Sequence, residues 1–143
     1  MAPNEFSTWT ADWAWGLPLI VVTVVFHTYG LSRIHKRATE RLKRNTNSAI
    51  LIGTTALWAT FLHAVEVISW AVAYWFLGAV PGYKLAMLYS LNAMTSYGHE
   101  SATLAAEWRL MGALEALNGW ILFGLTTAFL FTVLQKAWLR AET

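Results

Sequence analysis

The sequence predicts an all-α integral membrane protein: three transmembrane helices, with a shorter re-entrant helix and polar loop between the second and third. Three observations carry this. Of the 143 residues, 57% are hydrophobic and 13% charged, and nine are Trp, a composition too apolar for a soluble domain of this size. Three apolar segments, residues 13–31, 49–78 and 111–138, are each long enough as helices to cross a hydrocarbon core of about 30 Å. Between the last two lies 83–110, YKLAMLYSLNAMTSYGHESATLAAEWRL, which is too interrupted to cross.

Taken in order, residues 1–11 read as a short polar tail. The first twelve residues carry Glu5 and Asp12 without Lys or Arg, whereas a signal peptide needs a basic start, so this end is expected to be retained. The segment 13–31 has Trp13 and Trp15 at one end and Tyr29 at the other, as aromatic anchors at two interfaces. Pro18 is placed near its start, where a missing N–H costs little. His27, its one ionisable residue, is read as a histidine near the headgroups.

A basic connection follows. Six of the ten Lys and Arg (Arg33, Lys36, Arg37, Arg41, Lys43 and Arg44) fall between 33 and 44, with Glu40 the only acid. The positive-inside rule makes this stretch cytoplasmic, and contact with anionic membrane lipids is an added role. No nucleic-acid partner is expected, since a basic loop beside a membrane segment has the simpler cause. The second segment, thirty residues, would span roughly 45 Å and so tilts or projects, ending at Gly78, Pro81 and Gly82. The third is closed by Lys136 and Arg140. With both basic groups inside, the N-terminus is outside, the C-terminus cytoplasmic and 79–110 external, in a plasma (inner) membrane. The chain divides at 48/49 into a first helix with its basic loop and a unit holding the rest.

Within 83–110, Lys84 to Thr95 predicts a helix of about 18 Å, half a membrane. The polar run from Met94 to Glu100 follows, with one glycine. Irregular backbone is tolerated at membrane depth only where it is buried in protein or lines a watery path. The stretch therefore reads as a re-entrant pore loop, with an external amphipathic hairpin as the alternative.

Thr95-Ser96-Tyr97-Gly98 resembles the T-V-G-Y-G filter of potassium channels. Ser90-Leu91-Asn92-Ala93-Met94 before it and Glu107-Trp108-Arg109-Leu110 after it resemble the pore region of small bacterial members of that superfamily. H-x-x-E at His63 and W-R-x-x-G-A-x-E-A-x-N-G from Trp108 look like further family features, and the likeness covers about residues 57–134. It implies a homotetramer, a selectivity filter at Thr95, Ser96, Tyr97 and Gly98, and permeant monovalent cations, potassium or sodium, rather than a bound cofactor. His99 and Glu100 then set the charge at the pore mouth, His99 standing where the family usually has Asp. Ser96 replaces a filter glycine, which points to altered selectivity. Gly119 and Gly124 become hinge candidates in the inner helix, and Thr126 or Thr127 faces a cavity.

His63 with Glu66, and Glu115 with Asn118, are each spaced i, i+3 on one helix face. Ionisable groups at such positions face a bundle interior or water. They are read as an intramembrane hydrogen-bond network, with a metal site of His63, Glu66 and Glu115 as the rival. Haem held by His27 and His63 fits poorly, because the two are placed at different depths. No cysteine is present, so disulfides and thiolate sites are excluded. No nucleophile–base–acid arrangement is visible, and no enzymatic activity is expected. The rival functions are a small membrane metal or redox protein and a non-conducting accessory subunit.

Overall fold

The structure, a computed structural model, describes residues 5–43, 47–98 and 103–141. It consists of α1 (Glu5–Lys43), α2 (Ser48–Phe76), α3 (Tyr83–Thr95), a 3₁₀ turn at Ala106–Trp108, and α4 (Arg109–Ala141). Three helices, in α1, α2 and the Ala106–Leu139 stretch, are long and apolar enough to cross a membrane, as a multi-pass membrane protein requires.

α1 departs most from expectation. The tail, the first segment and the basic connection form one helix of 39 residues, roughly 58 Å long. The reason is a second periodicity beneath the charges. Leu31, Ile34, Ala38 and Leu42 are buried at helical spacing, and Ala38 and Leu42 pack on Leu51 of α2 and Ala137 of α4. Arg33, Lys36, Arg37 and Arg41 lie exposed on the other side. Pro18 consequently stands in the helix interior, where it removes a hydrogen bond to the Ala14 carbonyl. Membrane helices tolerate this when neighbours pack against the gap.

The directions of the helices follow from their contacts. His27 meets Glu66 and Gly30 meets Leu62, so α1 and α2 are antiparallel. Asp12 meets Met111 and His27 meets Thr126, so α4 runs parallel to α1. One end of the bundle therefore gathers the start of α1, the end of α2 and the start of α4. The opposite end holds the exposed basic face of α1 and Lys136, whose Nζ lies 3.1 Å from His35 Nε2. The two basic groups do share one end.

α3 is wedged between α2 and α4 at the first end. Ala86, Tyr89, Ser90, Ala93 and Met94 are its buried face, spaced i, i+3, i+4, i+7 and i+8. Tyr83 stacks edge-on to Trp75 and Ser90 bonds the Val67 carbonyl, so α3 runs back along α2. Residue 105 then rejoins the turn after α2 through Ala105 N–H to the Ala79 carbonyl, 2.9 Å. α3 thus runs from that end toward the middle of the bundle, and Ala105 lies back at the same end. The main core lies here, around Trp70, Tyr74, Tyr89, Met94, Met111 and Leu122.

Both helices before the return close with the same device. Ala79 N–H bonds the Tyr74 carbonyl after Gly78 at φ 66°, and Tyr97 N–H bonds the Asn92 carbonyl after Ser96 at φ 55°. Each is a Schellman ending, which wants a left-handed residue and usually takes glycine. At position 96 a serine adopts that conformation at a cost of about 1–2 kcal/mol.

Candidate functional site

Buried polar groups are concentrated in three places, and each draws on a different set of helices. The intramembrane quartet expected from the sequence is divided among them.

The first joins α1, α2 and α4 near their middles. Glu66 is fully buried, and its Oε1 accepts from His27 Nδ1 at 2.7 Å. Thr126 Oγ1 lies 2.9 Å from His27 Nε2 and 3.0 Å from His63 Nε2. His63 Nδ1 lies 3.2 Å from Glu66 Oε2. The imidazoles of His27 and His63 are 4.9 Å apart between centroids, and Phe123 stacks on His63 at 4.8 Å. His27 is therefore neither at the headgroups nor at a different depth from His63: it is fully buried beside it. Thr126, too, is sequestered here rather than facing a cavity.

The second lies between α2, α3 and α4. Glu115, fully buried, accepts from the Tyr74 hydroxyl at 2.7 Å and is bonded to Ser90. Ser90 Oγ also lies 2.9 Å from the Val67 carbonyl. Glu115 is thus apart from the metal set of His63 and Glu66 that the sequence suggested; His27 takes its place. Ligand atoms of His27, His63 and Glu66 all fall within 4.8 Å of one another.

The third ties α1 to α4. Asn118 Nδ2 donates to Thr23 Oγ1 at 2.9 Å, and Asp12 Oδ1 accepts the Met111 N–H at 3.1 Å in the first turn of α4. That amide has no partner within its own helix, so Asp12 acts as a cap supplied by a neighbouring helix. Neither Asp12 nor Thr23 stands out in the sequence when each is taken alone.

The segment expected to form a filter makes no hydrogen bond into these three networks. Thr95, Ser96, Tyr97 and Gly98 are all exposed, and Tyr97 is 85% so. Ser96 and Gly98 have positive φ, 55° and 104°, on either side of Tyr97. Trp120 Nε1 donates to Ser96 Oγ at 2.9 Å, holding the loop to α4. His99 and Glu100, the expected mouth residues, lie outside the described residues.

Of the two hinge candidates, Gly119 is a packing position: a side chain there would run into the Met94 carbonyl. Gly124 borders open space, with no neighbouring atom within 4 Å of where a Cβ would stand. Thr127, one turn further along α4, is exposed.

A cavity of about 1020 Å³ opens beside α3, lined mostly by apolar side chains of α2 and α3. Thr60, His63, Thr95 and Phe123 are among its walls, so it touches both the histidine cluster and the end of α3.

No protein-family model, curated protein or solved structure matches the chain.

Proposed function

We propose that this chain is the subunit of a homotetrameric cation channel of potassium-channel-like architecture, conducting monovalent cations with weakened preference for potassium. The observation that carries this reading is the course of 83–98 and of 103–105. A helix of 13 residues, about 20 Å, runs back between α2 and α4, and the chain then returns to Ala79 at the end from which it entered. Such a path lets polar backbone reach the interior of a bilayer without crossing it.

The loop at the tip supports the same reading. Left-handed residues at 96 and 98 alternate with Tyr97, which turns successive carbonyls away from the regular helical or extended pattern. Carbonyls presented in this way can replace an ion's hydration shell when several copies surround one axis. One copy cannot encircle an ion, so closed cyclic symmetry supplies the rest. The exposed stripe of α4 that includes Leu117, Trp120, Gly124 and Thr127 is then the inner-helix face, with Thr127 toward the cavity.

On this reading the basic end is cytoplasmic and the α3 end external, in a plasma (inner) membrane. Ser96 in place of glycine, and Met94-Thr95 before it, weaken potassium selectivity. Native mass spectrometry of the chain released from nanodiscs tests the assembly: four copies support it, and a monomer as the largest species contradicts it.

A further inference from the structure

The cluster of His27, His63, Glu66 and Thr126 contains one close buried contact, His63 Nδ1 to Glu66 Oε2, that no hydrogen bond serves. With neutral imidazoles and an ionised Glu66 it holds three exchangeable protons: one on each ring and one on Thr126. Three hydrogen bonds use all of them. His27 Nδ1–H donates to Glu66 Oε1, the Thr126 hydroxyl donates to His27 Nε2, and His63 Nε2–H donates to Thr126 Oγ1. His63 Nδ1 is left as a bare lone pair 3.2 Å from the carboxylate oxygen Glu66 Oε2. Both atoms are buried and neither has a hydrogen-bond partner. Two facing lone pairs in a low-dielectric interior repel unless a positive charge lies between them.

We propose that this cluster is a binding site for a divalent first-row transition ion of zinc-like chemistry, held by His27, His63 and Glu66. Two imidazoles and a carboxylate are a ligand set that such ions accept. At metal–ligand distances of 2.0–2.1 Å, adjacent ligand atoms of a tetrahedron stand about 3.3 Å apart, close to the separation of His63 Nδ1 and Glu66 Oε2. His27 joins them by moving its proton from Nδ1 to Nε2 and donating to Thr126 Oγ1. The two lone pairs of Thr126 then accept from both rings, and the Thr126 hydroxyl turns its own proton elsewhere. Thr126 becomes the group that orients both ligands, as the second partner of a metal-bound histidine does.

Two further features fit an ion better than an added proton. A fourth proton would have to lie between His63 Nδ1 and Glu66 Oε2, where the geometry is not that of a hydrogen bond. An ion lies off that line, toward His27. Access is also present: His63, 15% exposed at its side chain, borders the cavity beside α3.

The test uses the full chain, stripped with chelator in nanodiscs and titrated with Co²⁺ and with Zn²⁺. The expected result is one ion per chain, with the visible d–d absorption of four-coordinate cobalt. His63→Ala and Glu66→Gln should each weaken binding by at least about 100-fold, at the upper end of what loss of a supporting partner costs. His35→Ala and His99→Ala should leave it unchanged. Absence of stoichiometric binding in the unaltered chain overturns the proposal. So does binding that survives His63→Ala, or that is lost with His35 or His99. Because the unaltered chain alone can refute it, a variant that misfolds does not shield it.

Discussion

Gly119 of α4 lies directly against the carbonyl of Met94, the penultimate residue of α3, with no space for a side chain between them. Glycine here lets two backbones approach, as small residues do at membrane helix interfaces. Gly119→Ala should therefore destabilise the fold by about 1–3 kcal/mol, the range for overpacking. Gly124→Ala, with open space around it, should change stability by less than about 0.5 kcal/mol beyond any gain in helix propensity. Denaturant unfolding in detergent, followed by tryptophan fluorescence, measures both. Equal effects would mean that α3 is not seated on Gly119.

Ser96→Gly should stabilise the chain by about 1 kcal/mol, because it relieves a left-handed serine at the α3 ending. The lost bond from Trp120 is exposed and offsets little of this. A lower unfolding midpoint for Ser96→Gly would show that the Trp120 contact, not the backbone, governs the loop.

Glu115 offers a sharper test of proton placement. The Ser90 hydroxyl has one proton and two acceptors in reach, the Val67 carbonyl and Glu115. Glutamine keeps these three contacts: its amide donates to Ser90, Ser90 donates to Val67, and its oxygen accepts from Tyr74, with one amide hydrogen left over. Glu115→Gln should be tolerated within about 1 kcal/mol, whereas Glu115→Ala strands the Tyr74 hydroxyl and should cost about 1–3 kcal/mol for that group, plus the cavity. Thermal unfolding distinguishes them, and equal losses would rule the arrangement out.

Asp12 caps α4 from another helix, so its removal should loosen two helices at once. We expect Asp12→Ala to cost about 1 kcal/mol, as loss of a cap does, and Asp12→Asn less. Hydrogen exchange at the Met111 amide should accelerate in the alanine variant; unchanged protection there would exclude the cap.

The spanning segments are legible in the sequence because twenty or so apolar residues have few other uses, and the half-length of α3 is legible for the same reason. The extent of α1 is not, because the charge of 33–44 conceals the stripe of Ile34, Ala38 and Leu42 beneath it. The histidine cluster is half legible. His63 and Glu66 announce themselves by spacing, but His27 taken alone does not. Asp12, Thr23 and His27 are separated by eleven and four residues, which puts them on one face of a 3.6-residue helix. Three polar residues aligned on an apolar helix point inward, and that alignment is present in the sequence. What no periodicity can give is the partner across the bundle. That Glu115 turns to Tyr74 and Ser90, and His27 to Glu66, is decided by helix order and depth.

The most direct test is current through the purified chain in planar bilayers, with potassium, sodium and chloride gradients imposed in turn. The expected current reverses with the cation gradient, ignores chloride, and prefers potassium over sodium only weakly, the preference rising in Ser96→Gly. A current following chloride, or none under any gradient from a preparation shown to be tetrameric, would contradict a cation channel.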